Sequence, residues 1–451
     1  MKRRISGMKI KKYLLHIGLL IAVIISLIFS AIIWIDPATF HRNTTQTTTT
    51  NESGNTADAE THYHWSDVYL PTSVILTKDK QQMQLTSGKE DMINQMRDAA
   101  KNVRVKNITV EDAKNFADYR ESLLKNDNLT LSYSGPVSIG LFESMLDEHT
   151  LFDHYAERTF NHIVLPLANR QTIYLYSDNN FKIYKVELKE KLPNKLYKAA
   201  QGSDIRQTLV QYQEINKGNY ILNYTKGVTV PKYSYLINKE NTSLFVTHLL
   251  GSSSSNSIAT KEHNGITTYT TDNGQRLVID SKDGTVNYSR DARQNYRNKA
   301  DTFNKTLKQN FDNLKRIGVA LDDVRYQSYD SEKNTVTYQS YINGYPIISS
   351  NYYGTYEITM QRNGAMQYLF SIDNLQVPLP NDNQTVNLPP TNDVIQTLKS
   401  NNYNINKVKS IEVGYEWSQN PTSQMVVDLT PTYFVNYNGT WINYKNLGNR
   451  N

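Results

Sequence analysis

Two serine motifs carry the sharpest hint of chemistry in this chain. Ser122-Leu-Leu-Lys125 has the S-x-x-K spacing of serine acyl-enzymes, in which a lysine amine lies one helical turn from the nucleophile. Ser177-Asp178-Asn179, 55 residues on, matches the S-D-N element that accompanies it. The third element of that set, K-T-G on a strand, is missing, since Lys282-Asp283-Gly284 places an acid where a small hydroxyl is needed. Ser122 also falls late in its expected helix, whereas a nucleophile opens one, and Ser177-Asp178-Asn179 reads as a turn. Metal chemistry fares no better. The nine histidines are scattered; His62 and His64 flank a polar stretch, and His149 and His154 are five apart, off the i, i+4 geometry of one helix face. Carboxylates such as Asp67, Asp153 and Glu416 have no motif behind them and read as surface charges. There is no G-x-S-x-G elbow, P-loop or dinucleotide fingerprint. The expectation is a protein that is not an enzyme, with no catalytic residues, no cofactor and no metal.

Composition narrows the class further. The 451 residues include no cysteine, which removes disulfides and thiol chemistry. The 49 basic residues exceed the 43 acidic ones by six, and Lys2, Arg3, Arg4, Lys9, Lys11 and Lys12 supply the whole excess. The remainder is formally neutral, so no nucleic acid is expected as a partner.

Residues 13–35, YLLHIGLLIAVIISLIFSAIIWI, form an uncharged apolar run long enough to cross a bilayer. Basic residues precede it, and the first base after it is Arg42. The spacing predicts a single transmembrane helix with a cytoplasmic tail at 1–12 and the rest of the chain outside the cell membrane. A cleaved signal peptide is the competing reading, but the run is long and its end offers no small-x-small site. Gly18, Ala22, Ser26 and Ser30 recur every fourth residue within it. Small residues at that spacing let two membrane helices approach closely, so they are the candidate contact residues for a transmembrane partner. A chance stripe of small residues is the plainer reading.

The elements outside the membrane follow from patterning. Residues 36–62 are expected to be a flexible tether, Thr- and Asn-rich from 41 onward. Helices are expected at 88–103, capped by Ser87, and at 110–125, capped by Thr109. TIYLYS and FKIYKVEL, across Asp178-Asn179-Asn180, read as a hairpin. Further helices are expected near 195–213, 297–317 and 391–401, each followed by tyrosine-rich strands. Those strands turn at Asn273-Gly274, Asp283-Gly284, Asn343-Gly344, Asn363-Gly364 and Asn438-Gly439, read as type I′ turns. The 32 tyrosines suit half-exposed pleated surfaces; a sugar-binding face is the second reading. The fold class is α+β, with helices packed on antiparallel sheets in outer domains at 63–194, 195–296 and 297–451.

The short basic tail and single anchor, the opening HWSDVYLPTSVIL (64–76), the segment TYQSYINGYPIISS (337–350) with Arg362-Asn363-Gly364 after it, and the closing DLTPTYFVNYNGTWINY (428–444) together resemble the YycH family. That resemblance implies a three-domained outer part and a non-enzymatic regulator of a two-component system that governs cell-wall metabolism. The implied partners are the sensor histidine kinase WalK (YycG) and a YycI-like protein, met partly through transmembrane helices. A cell-wall-directed enzyme or a glycan-binding surface protein is the alternative from the residues alone.

Overall fold

Residues 172–188 fold as their alternation requires. The computed structural model pairs TIYLYS with KIYKVEL in register from Ser177 opposite Lys182 to Thr172 opposite Glu187. It describes residues 63–448 apart from 89–90, 114, 126, 147–153, 217–218, 252–256, 293–300 and 381–383. The expected membrane helix at 13–35, with Gly18, Ala22, Ser26 and Ser30, and the tether at 36–62 lie outside the described residues, as does Asp153. Among the described residues no helix is long and apolar enough to cross a membrane.

The first sheet has nine antiparallel strands: β1 (Ser73–Lys78), β2 (Gln81–Ser87), β3 (Val105–Asp112), β4 (Asn128–Ser138), β5 (Thr159–Pro166), β6 (Thr172–Ser177), β7 (Lys182–Leu188), β8 (Ile205–Asn216) and β9 (Asn219–Tyr224). Their order is β3-β7-β6-β5-β4-β1-β2-β8-β9. Five helices belong to this half: α1 (Trp65–Val68), α2 (Met92–Ala100), α3 (Phe116–Leu123), α4 (Ile139–Met145) and α5 (Asn194–Ala199).

Three expected helices are corrected here. The first is α2, shorter than 88–103 and capped by Asp91, whose side chain accepts from the amides of Ile93 and Asn94; Ser87 instead ends β2. The second begins only at Phe116, under Asn115, because Val105, Ile108, Thr109 and Val110 form a strand that β-branched side chains favour. The third, near 195–213, stops at Ala199. Beyond Gly202 the chain enters β8, pairs with β2 and continues the first sheet.

The rest of the chain supplies β10 (Val228–Pro231), β11 (Tyr233–Lys239), α6 (Thr242–Phe245), β12 (Ile258–His263), β13 (Ile266–Thr271), β14 (Gln275–Asp280), β15 (Thr285–Arg290), α7 (Phe303–Ile317), β16 (Val324–Asp330), β17 (Thr335–Ile342), β18 (Tyr345–Ile348), β19 (Thr355–Met360), β20 (Met366–Ser371), β21 (Asp373–Pro378), β22 (Thr385–Leu388), α8 (Thr391–Ser400), β23 (Val408–Gln419), β24 (Val426–Tyr437) and β25 (Thr440–Asn443). Fourteen of these strands join one sheet along β12-β13-β14-β15-β20-β19-β17-β18-β23-β24-β11-β21, with β16 on β17 and β25 on β24. Its pairs are antiparallel except β18 on β23. The helices expected near 297–317 and 391–401 are α7 and α8. Helix α7 is capped by Thr302 and closed by left-handed Gly318.

The turns divide by length. Asn343-Gly344 and Asn438-Gly439 are two-residue loops with positive φ at both positions, as type I′ requires. The loops holding Asn273-Gly274, Asp283-Gly284 and Asn363-Gly364 are longer. There only the glycine is left-handed, so those three are not type I′. The larger core runs from Val68 through the first sheet to α7 and Ile372. A second core joins Val210, Ile221 and Tyr224 to α8, β23 and β24. From His62 onward the chain is one compact unit.

Candidate functional site

A cleft of about 420 Å³ opens where the first sheet, α3, the β17–β18 turn and β23 converge. Its floor is built by register. Ser132 lies opposite His162 in the β4–β5 ladder, which puts their side chains on one face of the sheet. The turn after β6 brings Asp178 over that face, and its amide is held by the Asn161 side chain at 3.1 Å.

The result is a hydrogen-bonded relay. His162 Nε2 lies 3.0 Å from Asp178 Oδ2, and His162 Nδ1 lies 2.7 Å from Ser132 Oγ. A carboxylate only accepts, so the ring donates from Nε2; in the tautomer that carries its proton there, Nδ1 accepts from the Ser132 hydroxyl. Tyr119 Oη donates to Asp178 Oδ1 at 2.7 Å, and Tyr212 Oη stands 3.3 Å from Ser132 Oγ. Burial alone would raise the Asp178 carboxyl, but His162 and the Tyr119 hydroxyl together hold it below the usual carboxylate range. Burial pushes Tyr212 up to about 12. On the opposite wall burial raises Glu412 to about 7, against hydrogen bonds from Ser410 and Gln327.

Serine, histidine and aspartate in a chain are the parts of an acyl-transfer triad, but this chain has a different setting. Ser132 sits inside β4, paired with Ser73 on one side and His162 on the other. A nucleophile elbow instead presents its serine on a sharp strand-to-helix turn beside free amides. The relay orders the cleft floor, with both Asp178 oxygens and the Ser132 hydroxyl taken up within it.

The residues singled out in sequence fall elsewhere or for other reasons. Ser122 Oγ donates to Tyr119 O, 2.7 Å away and one turn back in α3, and Lys125 lies beyond the end of that helix. Ser177 is fully buried at the end of β6, and its neighbour Asp178 takes part in the relay. Lys282-Asp283-Gly284 is a hairpin turn between β14 and β15. Asp67 pairs with Arg97 at 2.8 Å, and Glu416 accepts from Asn443 at 2.9 Å. His154 is exposed, and His64 precedes α1. Among the described residues no group of three or more His, Asp or Glu is placed to hold a metal ion. His162 has no local motif in the sequence; only the β4–β5 register and the turn after β6 give it partners.

The model of the YycH protein N-terminal domain matches residues 10–203, and that of the YycH protein C-terminal domain matches 219–448. No curated protein sequence matches the chain. Among solved structures, YycH from Bacillus subtilis superimposes with a TM-score of 0.66 at 16% identity, covering 85% of this chain and 98% of that one. An uncharacterized protein from Eubacterium rectale ATCC 33656 reaches 0.32 at 11% identity over 50% of this chain and 84% of its own, too slight a likeness to bear on fold. With both domain models matched along most of its length and the B. subtilis fold shared, this chain belongs to the YycH family.

Proposed function

We propose that this protein is a membrane-anchored, non-enzymatic regulator of a WalK/YycG-like sensor histidine kinase that controls cell-wall metabolism, acting together with a YycI-like partner. The observation that carries this reading is the pair of family matches, the first of which begins at residue 10 and so takes in the apolar run at 13–35. In this reading residues 13–35 span the cell membrane, with 1–12 in the cytoplasm and 63–451 outside. In this reading the inward signal passes through helix contacts. Gly18, Ala22, Ser26 and Ser30 form that contact face. Regulation then amounts to binding two kinase states unequally. A coupling of about 1–3 kcal/mol changes the balance by roughly 5- to 150-fold.

The test is affinity capture of the full chain from solubilised membranes, with bound proteins identified by mass spectrometry. A histidine kinase should accompany the wild-type chain and be lost from Gly18→Leu/Ala22→Leu/Ser26→Leu at equal membrane levels. Retention of the kinase by the triple variant moves the contact to the outer part, and absence of any kinase from both overturns the reading.

A further inference from the structure

The cleft at the β4–β5 relay is lined in a way that its role as a buried floor does not require. Twelve of its thirty lining residues carry a hydroxyl, among them Ser132, Ser410, Tyr212 and Tyr341. Several already pair within the fold, Ser132 with His162 and Tyr341 with Gln327, but a hydroxyl that donates can still accept, and a polyol supplies groups that do both. The volume, about 420 Å³, falls in the range of roughly 300–1,000 Å³ typical of small-ligand sites.

Two further observations point to what enters. The first is an aromatic rim. Phe116 stacks on Tyr220 with centroids 5.1 Å apart, and Phe181 meets Phe116 edge-on at 4.9 Å. Phe181 is 37% exposed and holds φ +57°, a left-handed conformation that a bulky side chain rarely adopts, although two asparagines precede it. Its amide donates to Ser177 O at 2.9 Å, so the turn holds the ring out over the cleft mouth. Strain of this kind, kept where asparagine or glycine would relieve it, collects at ligand clamps. The second is Arg120. Its guanidinium lies over the Tyr220 ring at 5.0 Å and donates from Nη2 to Tyr212 O at 2.8 Å. Its Nε is buried and makes no hydrogen bond among the described residues. A buried arginine donor left open beside an aromatic face suits a carboxylate.

We propose that this cleft binds an acidic sugar of one or two rings, with its carboxylate on Arg120, its hydroxyls on the tyrosine and serine lining, and a ring face against Phe116 and Phe181. This goes beyond kinase contact and stands independently of it.

The experiment is calorimetric titration of the full chain with digalacturonate, in a detergent without a sugar headgroup. Cellobiose, citrate and triglutamate serve as comparison ligands. Saturable binding of digalacturonate is expected, with cellobiose weaker. Arg120→Gln should weaken digalacturonate at least tenfold at an unchanged melting temperature. Phe181→Gly, whose relief of backbone strain offsets part of the lost ring packing, should also weaken it at least tenfold. The proposal is overturned by no saturable binding of digalacturonate, or by undiminished affinity in both variants. Citrate binding as tightly as the sugar would reduce the cleft to an anion site. Triglutamate binding in its place would make it a peptide site.

Discussion

Two tyrosine clusters in this molecule use the same side chain to opposite ends. In the first, Tyr69, Tyr326 and Tyr338 meet with ring centroids 5.3–6.3 Å apart and are fully buried. Their hydroxyls are satisfied: Tyr69 Oη donates to Leu307 O at 2.7 Å and lies 2.9 Å from Tyr338 Oη, and Tyr326 Oη donates to Pro136 O at 3.0 Å. Trp65 adds a contact with Phe311 at 6.5 Å, under Lys308 at 4.7 Å. This cluster fastens the opening of the described chain to α7 and to β16 and β17, more than 230 residues away in sequence. In the second cluster Tyr119, Tyr212 and Tyr220 surround an open cleft, beside a strained phenylalanine and an arginine with an unused donor. A closed cluster converts ring area into stability. In the open one only Tyr119 is fully buried, its hydroxyl donated to Asp178, while Tyr212 and Tyr220 keep part of their surface on the cleft.

The largest effect should therefore fall on the closed cluster. Tyr69→Ala removes a fully buried ring and leaves Tyr338 without its partner, for an expected loss of about 3–5 kcal/mol. Chemical denaturation measures it. Tyr69→Phe keeps the ring and removes only the hydroxyl, so the loss should be about 1–3 kcal/mol. If the two variants lose equally, the hydroxyl network rather than ring packing holds this junction.

The cleft should reveal itself by pH rather than by bulk stability. Burial raises Glu412 from its ordinary 4.5 to about 7, so between those values the folded protein keeps a proton that the unfolded chain releases. More protons bound in the folded state mean that stability falls as pH rises across this window and levels off above it. Glu412→Gln has no proton to lose and should flatten that decline, read as the difference in denaturation midpoint between pH 5 and pH 8. An unchanged slope would place the pH dependence outside the cleft. The closed tyrosine cluster should show no such dependence there, because burial raises its hydroxyls well above their ordinary range.

What could be read from sequence was local. The 172–188 hairpin, α7, α8, and the two-residue turns at Asn343-Gly344 and Asn438-Gly439 each carry their own chemistry within a few residues. The failures were of two kinds. Residues 205–216 carry apolar side chains at both helical and strand spacings, and only pairing with β2 and β9 decides for strand. The relay has no local signal at all. Ser132, His162 and Asp178 are joined by the register of β4 on β5 and by the turn after β6. Asp178 falls within a serine-enzyme motif only by coincidence of spelling. Tyr69 and Leu307 are similarly joined by a contact that no periodicity reports.

The smallest effect gives the finest test, because it depends on sign. At Phe181 two terms oppose each other. The ring is 37% exposed and packs on Phe116 and Tyr119, at 4.9 and 5.5 Å, so its removal costs part of what a buried ring would. The left-handed backbone, φ +57°, costs a residue with a Cβ about 1–2 kcal/mol. Phe181→Ala loses the ring and keeps the strain. Phe181→Gly loses the ring and relieves the strain, against an unfolded-state entropy term of about 0.5–1 kcal/mol. The glycine variant should therefore be the more stable of the two by up to about 1 kcal/mol, reversing the usual order of alanine over glycine. An alanine variant as stable as the glycine one would mean that the turn relaxes once the ring is gone. The strain would then be imposed by the packing of Phe181 itself, and the open cluster would lose the feature that most separates it from the closed one.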